Sequence, residues 1–169
     1  MLDNNIKELD RIMDRYTNDL EGIKQEKQKQ KKSQEVFVSE FERLKHEIIW
    51  PTIVDAGNEL TKYGHDFHVT EEKEYMDATA TYHPAHITLN IYPALISEGM
   101  KKPESTPYIS FQADRFAEKI NIMVSTMMPG QGGVVGQYGM ANIAELNQSF
   151  IEKIIIDVLK TSLFFHGEE

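Results

Sequence analysis

The side chains of this chain with the most chemistry in them are two His-x-x-His pairs, His65/His68 and His83/His86. Imidazole nitrogens bind zinc and other transition metals, and Glu71, Glu72 and Asp77 lie close enough in sequence to complete a ligand set. The spacing works against them. Both pairs flank strand-like segments, and residues i and i+3 of a strand point to opposite faces. Convergence needs a turn, which Pro84 would have to supply. The pattern matches no known zinc spacing, so surface histidines are the expectation and no metal is expected. Catalytic motifs are missing as well: there is no G-x-S-x-G and no H-E-x-x-H, and no Ser/His/Asp constellation can be singled out. With no cysteine, thiolate catalysis, disulfides and Cys-based zinc sites are excluded. The acidic run Glu71, Glu72, Glu74 reads as a solvated turn. The sequence leans away from an enzyme, and no cofactor is expected.

A second candidate is the run Met127-Met-Pro-Gly-Gln-Gly-Gly-Val-Val-Gly-Gln-Tyr-Gly139, which holds five of the ten glycines. It is expected to link a strand to a helix, where backbone amides at a helix N-terminus can hold an anion. Its spacing fits neither nucleotide fingerprint. Counting from Gly130, Val135 stands at the third glycine of G-x-G-x-x-G, and no Lys-Ser/Thr pair follows. A mobile loop is the first expectation. Next comes a loop that orders on a protein partner or ligand through Met127, Met128, Gly130, Gly132, Gly133, Val134, Val135, Gly136 and Tyr138, whose methionines offer adaptable apolar contacts. An anion site ranks third.

The elements that position these residues begin with a heptad register. Leu2, Ile6, Leu9, Met13, Tyr16, Leu20 and Ile23 recur alternately four and three apart. The count passes over Lys27, Gln30 and Gln34 and resumes at Phe37, Phe41, Leu44 and Ile48. A 3.5-residue repeat keeps one seam of a helix facing one partner. No Gly or Pro lies between Ile23 and Trp50, so residues 2–50 read as one helix of roughly 70 Å. With a at Ile6, Met13 and Leu20, the g residues Asp19, Glu26 and Glu40 oppose the e residues Lys24, Lys31 and Lys45. This is the sign pattern of a parallel two-stranded coil. Residues Leu2 to Ile23 are therefore an oligomerisation seam, with a homodimer favoured. Phe37 to Ile48 has the alternative of packing on the chain's own sheet.

Past Trp50 the seam moves by one position, to Ile49, Ile53, Ala56, Leu60 and Tyr63. Pro51 reads as the joint, because proline kinks or ends a helix, and Gly64 suits a C-cap. From Asp66 the period is two. Phe67–Thr70, Met76–Tyr82, Ile87–Ile91, Ile109–Phe111 and Ile120–Val124 each read as a strand with one wet face. Short connections favour an antiparallel meander, with Pro93–Pro107 as an exposed loop. Asn142 with Glu145 resembles a capping box that opens a final helix over residues 143–165, apolar on most sides. The fold class is α+β: a long coiled-coil-like helix, a second helix, a five-stranded antiparallel sheet and a C-terminal helix packed on it.

At 169 residues, with 40% hydrophobic content, the chain suits one globular domain of residues 36–169 plus a helical extension of residues 1–35. The net charge of −9 is unevenly placed. Residues 1–35 balance at zero, so the whole excess falls on the globular part. An acidic surface repels a phosphate backbone, so nucleic acid is not an expected partner. The five lysines of Lys24–Lys32 lack the interleaved aromatics or arginines that stack on bases. No spanning helix and no signal pattern is present, and a cytoplasmic location is the default. These features point to an oligomeric adaptor or chaperone-like protein that binds another protein. The competing class is a domain that binds a small ligand or anion through the glycine-rich loop.

Overall fold

The structure is a computed structural model, and it describes residues 1–94 and 105–164. The fold is α+β. Helix α1 (Asp3–Leu44) passes through a wide π-type turn (Lys45–Ile49) into α2 (Trp50–Thr61). Strand β1 (Asp66–Glu72) follows, then the two short strands β2 (Tyr75–Met76) and β3 (Tyr82–His83). After these come β4 (His86–Tyr92), β5 (Tyr108–Asp114), β6 (Lys119–Ser125), β7 (Val135–Ala141) and helix α3 (Gln148–Leu163). By internal contacts the chain divides into two compact units, Met1–Val36 and Phe37–Glu169. The expected loop Pro93–Pro107 falls largely on residues 95–104, outside the described residues.

The π-type turn explains the shift of the apolar seam. The Trp50 N–H reaches back to the Lys45 carbonyl, five residues rather than four. A turn that holds one more residue moves every later side chain on by one position. Phe41 and Leu44 are buried before the turn, Ile49 at its end and Ile53 after it. The joint is thus at Lys45–Ile49, ahead of Pro51, which sits in the first turn of α2. A proline there removes one N–H and crowds the carbonyl four residues back; the widened turn directly before it accommodates both. Tyr63, assigned to the inner face, is 77% exposed because the helix ends at Thr61.

The main sheet has the order β1-β4-β5-β6-β7, all antiparallel. Its inner face carries Ile87, Leu89 and Ile91, then Ile109, Phe111 and Ala113, then Ile120 and Ile122, all buried. Phe37, Phe41, Leu44, Ile49 and Ile53 from the helical segment and Ile151, Ile154, Ile155 and Val158 from α3 complete the core. Gly57 lets α2 approach β1 closely, since a Cβ there would stand 2.5 Å from the Phe67 ring.

Two strand expectations are corrected. The alternating run Met76–Tyr82 is not a strand of the main sheet; its ends pair as the β2–β3 hairpin. The Asp77 carboxylate accepts from the Thr79 and Thr81 amides at 2.8 and 3.0 Å and from the Thr79 hydroxyl at 2.6 Å. A side chain that gathers the backbone in this way makes a turn in place of a ladder. The fifth strand is β7, drawn from the glycine-rich run. The last helix is also shorter than expected. Asn142 opens only a 3-10 turn, Ile143–Glu145, and Leu146 is extended and buried. Asn147 is the N-cap of α3, its Oδ1 accepting from the Phe150 amide at 2.9 Å. Phe165 lies outside the described residues.

Candidate functional site

No residue of Met1–Val36 is buried. Lys/Glu-rich composition and the near absence of Gly and Pro favour helix here, and pairs such as Arg11–Glu8 at 2.6 Å decorate its surface. Leu2, Ile6, Leu9, Ile12, Met13, Tyr16, Leu20 and Ile23 are between 37% and 75% exposed. They share a face by their spacing of three and four. Each aliphatic side chain of this kind gains about 1.5–3 kcal/mol when fully buried, so the stripe holds a large unspent driving force for association. Ile12, which the heptad count passed over, widens it. One charge pair invoked for the coil is withdrawn. Lys45 is 1% exposed inside the globular unit, donating to the Glu72 carbonyl at 3.1 Å and paired with Glu42 at 3.0 Å. Glu40 pairs with Arg43 instead.

The glycine-rich run is a closed hairpin connection followed by a strand. The Thr126 amide donates to the Val134 carbonyl at 2.9 Å, and the Val134 amide donates back to the Thr126 hydroxyl at 3.0 Å. Within this clamp the Met128 amide reaches the Gly132 carbonyl at 3.0 Å, and Met128 is buried. Gly130 and Gly132 have φ of 76° and 74°. At Gly133 (φ 151°) a Cβ would fall 2.6 Å from the Thr126 carbonyl oxygen, so glycine is required. Val135, Gly136 and Tyr138 belong to β7. The Tyr138 hydroxyl donates to Asp157 of α3 at 2.8 Å, and that carboxylate holds the phenol above its usual pKa. Since β7 separates the loop from α3, the loop does not present its amides at a helix N-terminus. Met127 is partly buried, whereas Val134, Val135 and Tyr138 remain exposed on the edge of the sheet.

The four histidines lie in separate surroundings. His65 Nδ1 accepts from the Ala94 amide at 3.0 Å. His68 lies on exposed β1, opposite Asn90. His83 Nε2 is 2.8 Å from Asp77, its ring stacked on Tyr75 at 4.5 Å. His86 Nε2 is 3.5 Å from Glu72. The acids that could complete a ligand set are spoken for in the same way. Glu71 faces Lys45 at 3.9 Å, Glu72 faces His86, and Asp77 is held well below the usual carboxylate range by Thr79 and His83. Among the described residues no three His, Asp or Glu gather to hold a metal ion.

A further polar network joins the small hairpin to the β5–β6 turn. Glu74 takes the Tyr82 hydroxyl at 2.5 Å and Arg115 at 3.0 Å. Burial, and then the Glu74 carboxylate, push the Tyr82 phenol above its usual pKa. The buried Arg115 Nε has no partner, and the network ties the hairpin to the β5–β6 turn.

Between α2 and α3 lies a groove of about 540 Å³. Its floor is apolar, and Asp55 and Glu59 of α2 stand across from Glu152 of α3. Sequence reasoning missed these three acids. Their signal was present but faint: Asp55 and Glu59 are four apart, beside the inner stripe of α2, and α3 is too apolar to be covered by one sheet. No described helix is long and apolar enough to cross a membrane. No family model, curated protein or solved structure matches this chain.

Proposed function

We propose that this chain is a non-enzymatic, self-associating adaptor. The Leu2–Ile23 stripe pairs with its copy in a second chain as a parallel two-stranded coil, and the globular unit binds another protein. The observation that carries this reading is the exposure of seven apolar side chains on one helical face, with Leu2 just before it, in a unit that buries nothing. An isolated helix is marginal in water without such packing. Charge supports the same reading. Residues 1–35 are neutral overall, so pairing them brings no net repulsion, whereas acidic globular units repel one another. The pairs Asp19/Lys24 and Glu26/Lys31 remain on the surface to set a parallel alignment. Lys27, Gln30 and Gln34 interrupt the seam and favour a single register.

Light scattering across a concentration series tests the reading. A dimer mass is expected, and Ile6→Asp with Leu9→Asp converts it to a monomer while the globular unit keeps its melting temperature. A monomer at every concentration, with deletion of residues 1–35 changing neither the oligomeric state nor the stability of the globular unit, refutes it.

A further inference from the structure

We propose that the groove between α2 and α3 is the docking site for a basic amphipathic helix of a partner protein. The inference rests on the reading that the globular unit binds a protein, and it names the surface and the chemistry of the occupant.

The groove has an apolar floor of Leu60 from α2 and Ile155 and Leu159 from α3. Ile156, also lining the groove, is 50% exposed, a large aliphatic side chain left open to solvent. Carboxylates occupy both sides: Asp55 and Glu59 on one wall, Glu152 on the other. No lysine or arginine lines it. Glu59 meets Lys62 at 2.7 Å and Glu152 accepts from Gln148 at 2.9 Å, both on exposed surface. Exposed pairs of this kind are weak and exchange readily for a better-placed cation.

Charge selects the occupant. A second copy docked groove to groove about a two-fold axis would set each acidic wall against an acidic wall, in a unit that already carries the whole net charge of −9. A small apolar ligand would lie in an open trough, with far less of its surface covered than ligand sites normally cover. A third helix suits the space between two packed helices, its ridges entering their groove. With aliphatic residues at i, i+3, i+4 and i+7 it fills the floor, and flanking Lys or Arg meet the carboxylates on either side.

The probe is a fluorescent peptide of roughly 18 residues, five turns, with leucine at those positions and lysine elsewhere, titrated into the full chain at physiological salt. A twin with glutamate for lysine is the control. Saturable binding of the lysine peptide alone is expected. Asp55→Asn with Glu59→Gln and Glu152→Gln should weaken it about tenfold or more, and so should Ile156→Lys. The same loss of charge placed elsewhere on the globular unit, Glu47→Gln with Glu118→Gln and Glu145→Gln, should leave affinity within about twofold. No binding of the lysine peptide overturns the proposal, and so does equal weakening by the two triple variants. A groove variant that changes the mass of the chain also overturns it, since the occupant would then be a second copy. A dimer mass that persists while the peptide fails to bind separates this outcome from failure of the self-association reading.

Discussion

Ile6–Ile23 and Phe37–Leu44 belong to one helix and follow one spacing of three and four, yet their surroundings are opposite. In the first stretch every seam residue is at least 37% exposed; in the second, Phe41 is fully buried and Phe37 and Leu44 nearly so. The lysines beside the seam divide in the same way. Lys24 and Lys31 are exposed, and Lys45 is enclosed by Glu42 and the Glu72 carbonyl. Helical periodicity determines which residues share a face. It does not determine what covers that face. The second stretch is followed closely by a sheet rich in isoleucine, and the first has no such cover within its own unit.

Truncation at the two ends of the seam separates the cases most strongly. Phe41→Ala should cost about 3–5 kcal/mol in denaturant unfolding of the globular unit, whereas Leu9→Ala should change that unfolding by less than about 0.5 kcal/mol. Equal costs would break the comparison. The lysines come next. Lys45→Ala leaves the Glu42 carboxylate largely buried without its cation and should cost about 2–3 kcal/mol. Combining Glu42→Gln with Lys45→Met should recover most of that loss, and Lys24→Ala should cost almost nothing. The two helical glycines give the smallest and most discriminating test. Gly22→Ala meets nothing within 4 Å and should raise helix content, by up to about 1 kcal/mol. At Gly57 the same methyl would meet the Phe67 ring at 2.5 Å, so the substitution should lower stability by about 1–2 kcal/mol despite the better helix former. Circular dichroism melts of both variants would show opposite signs.

Long periodic segments were readable from sequence; places where one side chain redirects the backbone were not. The helical seam and the strands around Phe67, Ile87, Ile109 and Ile120 follow from period alone. Strand β7 was hidden because Gly136 and Gly139 blank out its alternation. A register break opposite Ile122 and Met123 also shifts its phase. The Tyr75–His83 hairpin imitated a strand, since Asp77, Thr79 and Thr81 alternate with alanines while folding into a turn. Asn142 and Asn147 both resemble caps, and burial of Leu146 decides for the second. The exposed stripe was legible apart from Ile12, which falls outside the heptad count. The acidic groove was not, because it is assembled from two helices nearly a hundred residues apart. Lys45 misled for the opposite reason: its heptad position is ordinary, and only the folded unit surrounds it.

The wide turn at Lys45–Ile49 makes this part of the chain sensitive to residue number more than to residue identity. A regular helix advances about 100° per residue. Losing any one amino acid there would restore the ordinary repeat and swing the Phe37–Leu44 face away from that of Ile49 and Ile53. Both faces reach the core only while the extra residue is present. Single-codon deletions across this turn should therefore be among the least tolerated changes in the chain, while substitutions at its exposed positions, His46 and Glu47, pass unnoticed.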